Sequence, residues 1–368
     1  MGKRGIAPFL HPLGGCGYRR FWKHYLQNWP YDLRSLHARI CAMLGVTVRV
    51  PGVFLEGSKH NTAIATEPVS SGPVFIIGHW RSGTTHLHNL LSSDTQFGFI
   101  SFSRSVMPLD CLGKVRPARA LMNLVMPQDR GMDSVAINAD TPMEEEMALG
   151  ALGDICFYKS FYFPRSLDYH FRRSVLLEGL ESGEQEQLAE NYRFLVKKMA
   201  YAHGGKTMLF KNPANTARMS FLKEIFPNAK FIHIVRDPYK VYPSMLRLWE
   251  RLMRGFSWQN PRGINFEETT LSIYERTMRA HIEDQKRIPA QDFHEVRYED
   301  LDENPSAEIA RVYDTLGLTG QAEAMERIDQ YIKAQRGYRK NTHRLSDEAR
   351  DRIASRWKFA FDHWNYTS

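Results

Sequence analysis

The densest set of chemistry-bearing residues is Ile77-Gly78-His79-Trp80-Arg81-Ser82-Gly83-Thr84-Thr85-His86-Leu87. Two glycines stand five apart, with a guanidinium at Arg81 and hydroxyls at Ser82, Thr84 and Thr85. This combination suits an anion. Glycine permits a tight turn and a close approach, and the N–H groups that open the following helix then point at negative charge. The glycine spacing is that of the GxxxxGK[ST] loop, but Thr84 stands where a lysine would reach the β- and γ-phosphates, and Arg81 is the cation instead. Such a site is not tuned to a magnesium triphosphate. A glycine turn with no ligand would leave the run of donors unexplained.

A second segment, Phe231-Ile232-His233-Ile234-Val235-Arg236-Asp237-Pro238, ends an apolar strand in Arg236, and Ser244 follows eight residues on. Ligands of open parallel sheets bind at such strand ends. An arginine there and a hydroxyl two turns into the next helix can converge on one further phosphate. Alone, Arg236 reads equally well as a structural ion pair, and Asp237 as a cap for the helix.

Taken together, the two segments resemble the sulfotransferase family, whose members use 3′-phosphoadenosine 5′-phosphosulfate (PAPS). The resemblance implies that Arg81, Ser82, Gly83, Thr84 and Thr85 hold the 5′-phosphosulfate, and that Arg236 and Ser244 hold the 3′-phosphate. Val296-Arg297-Tyr298-Glu299-Asp300-Leu301-Asp302-Glu303-Asn304-Pro305 is similar to the YEDL-x-x-NP stretch, whose tyrosine, here Tyr298, lies near the adenine. The likeness covers residues 73–317 and is greater to the bacterial-type and tyrosylprotein-type branches, with PRSGTT, than to the cytosolic hormone branch, with PKSGTT. Lys211, in Phe210-Lys211-Asn212-Pro213, resembles the lysine of the KDP element and is implied to stabilise the leaving-group or sulfuryl oxygen together with Arg81. A surface lysine capping the next helix is the alternative. Asp140-Thr141-Pro142-Met143-Glu144-Glu145-Glu146 resembles the acidic P-x-E-[DE]-E segment, which makes Glu145 and Glu146 the candidate bases. A carboxylate in a partly apolar pocket is raised toward neutrality, although acids in a first helical turn also follow from the macrodipole alone. The KTH histidine of the cytosolic branch has no clear match, and His79 reads as loop packing. Arg339 and Lys340 are implied as further 3′-phosphate contacts, in an order that differs from RKG. The resemblance thus implies PAPS as co-substrate, adenosine 3′,5′-bisphosphate as product, and no metal.

The elements around these residues must hold them at strand ends. Apolar runs at 73–77, 207–210, 229–235 and 293–297 predict strands, and the segments after them predict helices at about 83–91, 214–226 and 239–254. Alternation of this kind implies an α/β fold, a central parallel sheet flanked by helices. The resemblance adds a P-loop-like sulfotransferase fold over 73–368, with residues 101–205 as a helical lid and acceptor-binding insertion. Within that insertion, helices are predicted near 143–152 and 184–203. Residues 1–55 read as a basic amphipathic arm of two short helices broken at Pro30, and 56–72 as a linker.

Composition sets the class. The chain has 368 residues, 43% apolar and 24% charged, which excludes disordered, collagen-like and disulfide-scaffold chains. Uninterrupted apolar runs are short, predicting no bilayer span, and the N-terminus lacks a continuous secretory core, predicting a cytoplasmic protein. Cysteines 16, 41, 111 and 156 form no CxxC pair and read as reduced thiols. Residues 1–50 hold eight Lys or Arg against Asp32 alone, so most of the net charge of +8 sits there. That arm predicts contact with an anionic membrane surface, peripherally, rather than with nucleic acid. Packing on the main domain is the other reading. The function predicted is transfer of a sulfuryl group to a hydroxyl of a small, lipophilic acceptor. The alternatives are a nucleotide kinase-like phosphate-loop enzyme and a non-enzymatic anionic-surface binder.

Overall fold

The computed structural model describes residues 11–69, 72–112, 123, 138–334 and 345–368. The chain divides into two compact units. The first takes its described residues from 1–69, 99–206 and 250–263, the second from 70–98, 207–249 and 264–368.

The second unit is built on strands β1 (Val74–Ile77), β2 (Phe97–Phe99), β3 (Thr207–Lys211), β4 (Lys230–Val235) and β5 (Phe293–Arg297), in the order β2-β3-β1-β4-β5. β1 pairs in parallel with β3 and β4, and β4 with β5, in a register that sets Ile76 beside Lys211 and Val235 beside Arg297. Every residue of β1 is buried, as a strand covered on both faces requires. On one face Val74, Ile76, Leu209, Ile232, Ile234 and Val296 pack under α3 (Thr84–Leu91), α13 (Pro305–Leu316) and α14 (Gln321–Ala334). On the other, Phe75 stacks between Phe210 and Phe231, each ring centroid 5.8 Å away. A further core joins α10 (Pro238–Phe256), α11 (Phe266–Gln285), α15 (Asp347–Arg356) and α16 (Lys358–Trp364). Between β3 and β4 the predicted single helix is a 3₁₀ turn (Pro213–Ala217) followed by α9 (Met219–Ile225). Asn212 starts the turn by accepting the Ala214 N–H at 3.0 Å. A short α12 (Tyr298–Glu303) follows β5.

The first unit is helical: α1 (Tyr18–Gln27), α2 (Leu36–Thr66), α4 (Phe102–Val106), α5 (Glu146–Leu152), α6 (Lys159–Tyr162), α7 (Leu167–Ser174) and α8 (Ser182–Ala202). Trp258 is its aromatic centre, with His11 stacked at 4.6 Å and Phe21, Tyr25, Tyr31 and Phe163 around it. Three expectations change here. α1 turns Phe21 and His24 inward, and Arg20 and Lys23 pair with Asp154, so two of the arm's cations are engaged within the unit. Residues 56–66 are no linker but the last third of α2, fastened by buried Ile64 and by Lys197 Nζ donating to the Ala65 carbonyl at 2.7 Å. Finally, Leu33–Thr66 is long and apolar enough to cross a membrane, with a mean hydropathy of 1.5 over its most apolar window. The scan for uninterrupted apolar runs missed it because Arg39, Arg49 and Glu56 punctuate the helix.

Candidate active site

The loop after β1 needs glycine at two points. Gly78 has φ 142°, and a Cβ there would strike the Ile234 carbonyl. Its N–H donates to Thr216 Oγ1 at 2.8 Å. Gly83 has φ 101°, and a Cβ would stand 2.8 Å from Tyr298 Cε2. Between them Arg81 adopts φ 74°, a left-handed conformation that a non-glycine residue keeps only where its surroundings hold it. Thr84 and Thr85 open α3, whose first N–H groups have no intrahelical acceptor.

The second segment meets this loop directly. Arg81 Nε donates to Ser244 Oγ at 2.8 Å, and Arg236 Nη1 donates to the Arg81 carbonyl at 3.3 Å. The Arg236 guanidinium carbon lies 4.0 Å from the centroid of the Tyr298 ring. Arg81, Gly83, Arg236, Ser244 and Tyr298, drawn from four stretches of chain, thus converge at the carboxyl end of the sheet, beside the central strand where the connections part to either side. Arg236 Nε is buried without a hydrogen-bond partner. Asp237 caps α10 by accepting the Tyr239 N–H at 2.8 Å.

Lys211 is the last residue of β3 and only 1% exposed. That removes the surface-lysine alternative, since Lys is almost never fully buried unless paired. His79 is fully buried, its Nδ1 2.9 Å from the Trp80 carbonyl and its ring against Tyr274. Burial pushes its pKa down to about 3, against the pull of the Trp80 carbonyl, so it is neutral and packs the loop.

Glu145 and Glu146 lie in the first unit, both buried, at the start of α5. Glu146 Oε1 accepts the Phe157 N–H at 2.5 Å, and the neighbouring Glu144 accepts from Tyr158 Oη at 3.0 Å. Arg339 and Lys340 fall outside the described residues.

One cluster went unseen in the sequence. His233, His281 and Glu295 bring their ligand-type atoms within 4.8 Å of one another. The two rings stack at 3.8 Å, while Glu295 accepts from His233 Nδ1 at 2.8 Å and from Trp364 Nε1 at 2.9 Å. With that carboxylate oxygen already receiving two donors, the cluster acts as a pin that fastens α16 to β4 and β5. Its members sit on a strand, a helix and another strand, and only the tertiary fold unites them.

The Sulfotransferase family pattern matches residues 73–323. The chain belongs to the sulfotransferase family. This sulfotransferase is 30% identical over 303 residues to the omega-hydroxy-beta-dihydromenaquinone-9 sulfotransferase Stf3 of Mycobacterium bovis and of Mycobacterium tuberculosis, spanning 82% of this chain and 77% of each relative. Its fold matches the crystal structures of sulfotransferase STF1 from Mycobacterium tuberculosis, with TM-score 0.67 and 16% identity, and STF9 from Mycobacterium avium, with TM-score 0.64 and 18% identity. Both comparisons cover 92% of this chain, and 91% and 88% of the respective neighbours. The enzyme is accordingly a transferase on a parallel-sheet fold flanked by helices.

Proposed function

We propose that this sulfotransferase takes PAPS as donor and a hydroxyl of a small lipophilic molecule as acceptor. The observation that carries the reading is the Arg81–Ser244 hydrogen bond with Arg236 seated on the Arg81 carbonyl. The loop assigned to the 5′ end of the nucleotide and the strand–helix pair assigned to its 3′ end are thereby one bonded frame. The residues fit the donor: Gly78 and Gly83 let the loop pack tightly against Ile234 and Tyr298, Ser82, Thr84 and Thr85 offer hydroxyls, and Arg236 Nε is a buried donor with no hydrogen-bond partner. Tyr298, between Gly83 and Arg236, is assigned to the adenosine.

Bound there, the donor supplies a sulfuryl group whose bond to the 5′-phosphate breaks as a new bond to the acceptor oxygen forms, leaving adenosine 3′,5′-bisphosphate. Arg81, Lys211 and the first N–H groups of α3 hold the negative charge that accumulates on the phosphate side, which is where preorganised donors act most strongly. The acceptor proton is assigned to a carboxylate. Both Glu145 and Glu146 stay candidates for that base, Glu146 also accepting the Phe157 N–H.

Residues 101–205 are assigned to the acceptor, with the aromatic run Phe157, Tyr158, Phe161, Tyr162 and Phe163 supplying apolar walls. A relative named for a hydroxylated menaquinone acceptor supports a lipophilic alcohol. We assign the enzyme to the cytoplasm, peripheral to a membrane where such acceptors reside.

Calorimetric titration tests the donor. Adenosine 3′,5′-bisphosphate binds the wild type, and Arg236→Ala weakens it about a hundredfold, the loss of a charge-assisted phosphate contact. Tighter binding of Mg-ATP overturns the assignment of PAPS as donor, and no change in Arg236→Ala overturns that of Arg236 to its 3′-phosphate.

A further inference from the structure

Helix α2 keeps its charges on the protein side, beside buried Ala42 and Val46, and leaves an apolar stripe outside. Each charged residue along Leu36–Glu56 faces its own unit: Arg39 donates to Ser35 Oγ and to Tyr25 Oη, both at 3.1 Å, and Arg49 donates to Asp110 at 3.1 Å and to the Gly14 carbonyl at 2.6 Å. Glu56 pairs with Lys198 at 2.6 Å and accepts the Leu112 N–H at 2.6 Å. The outward side carries Leu33, Leu36, Ile40, Leu44, Val48, Phe54 and Leu55, with Leu33 83%, Val48 75% and Phe54 74% exposed. A helix on a protein surface in water normally shows the reverse arrangement. At 1.5 Å per residue the stripe runs for roughly 30 Å, longer than scattered surface apolars account for. At its N-terminal end stand exposed Leu26 and Trp29. Exposed cations bracket it, Arg19 and Arg34 on one side and Lys59 on the other.

We propose that α2 lies flat in the surface of an anionic bilayer, its outward residues in the acyl boundary and Arg19, Arg34 and Lys59 at the phosphate headgroups. This rests on the peripheral reading above and names the surface that makes the contact. Charge selects the occupant. In a symmetric pairing with a second copy, a stripe ended by cations on both sides sets cation against cation, whereas lipid phosphates satisfy both ends. Crossing the bilayer would carry Arg39, Arg49 and Glu56 into hydrocarbon and break the bonds they make. Lying flat keeps them all. Trp29 then takes the interfacial depth that indole rings favour.

The test is co-sedimentation of the full chain with vesicles of phosphatidylcholine alone or mixed equally with phosphatidylglycerol. The wild type pellets with the mixed vesicles and releases with added salt. Leu44→Ser/Val48→Ser/Phe54→Ser lowers the partition at least tenfold while its melting temperature and its sulfotransfer to a water-soluble phenol stay at wild-type values. Should the triple variant unfold, Phe54→Ser and Lys59→Glu separately give smaller losses. A wild type that stays in the supernatant overturns the proposal, as does a wild-type dimer by light scattering that the triple variant dissolves, which assigns the face to a second copy. Vesicle binding without sulfotransfer to any acceptor leaves this surface standing and removes the activity instead.

Discussion

At Gly83 a methyl group would meet Tyr298 Cε2 at 2.8 Å on a backbone held at φ 101°. Two separate penalties follow, a steric one from the ring and a conformational one from the positive φ. Gly83→Ala should therefore raise the donor KM sharply, and adding Tyr298→Ala should recover only the steric part, as donor titrations of the single and double variants will read. The two carboxylates divide in the same residue-by-residue way. Glu145→Gln is expected to lower kcat by about 10²–10⁴-fold, the span of a general base. Glu146→Gln, whose carboxylate holds the Phe157 N–H, is expected to lower the melting temperature first. Equal kcat losses with unchanged stability in both would dissolve the distinction. Arg81, Ser82, Gly83, Thr84 and Thr85 were legible in the sequence because they are contiguous, and a turn's chemistry is written in its own residues. The Arg81–Ser244 bond was not legible, since Ser244 is brought to it by a different helix.

Among elements, β1, β3, β4 and β5 were readable to within a residue or two, the first three as short apolar runs, whereas the three-residue edge strand β2 (Phe97–Phe99) was not anticipated because so short a run carries no period of its own. The N-terminal helices were harder. Periodicity shows that α1 and α2 have an apolar side but carries no sign telling which side meets protein, and for α2 the protein-facing side holds Arg39, Arg49 and Glu56 beside buried Ala42, Val46 and Ile64. The deciding contacts are with Asp110 and Lys198, far along the chain. Those contacts make a prediction. The Glu56–Lys198 pair is buried, with side chains 5% and 2% exposed, so Lys198→Met strands a carboxylate and should cost about 3–5 kcal/mol in denaturant unfolding. Lys198→Met with Glu56→Leu should recover part of that, short of the wild type because the Leu112 N–H loses its acceptor. A single variant as stable as the wild type would show the pair to be solvent-exposed in solution.

For the whole molecule, acid sensitivity follows from buried neutral histidines. Burial pushes His11 down to about 4 and His79 to about 3 from 6.5, and burial with neighbouring His233 pushes His281 well below it. The unfolded chain takes up these protons below pH 6.5 and the folded chain does not, so stability falls as pH drops through that window and these groups contribute no slope above it. Each fully buried ring accounts for at most about 1.4 kcal/mol per pH unit. Melting temperatures should decline on acidification from about pH 6.5 toward 4.5, and more shallowly in His281→Phe, whose ring keeps the stacking on His233 and Trp364. A parallel slope in that variant would place the titration elsewhere. The two faces of α2 also bear on how this enzyme is best handled. Trimming the N-terminus to remove an apparent greasy leader would strip Asp110 and Lys198 of their charge partners and the Leu112 amide of its acceptor, whereas recolouring Leu44, Val48 and Phe54 with polar side chains offers a detergent-free preparation that keeps those internal bonds.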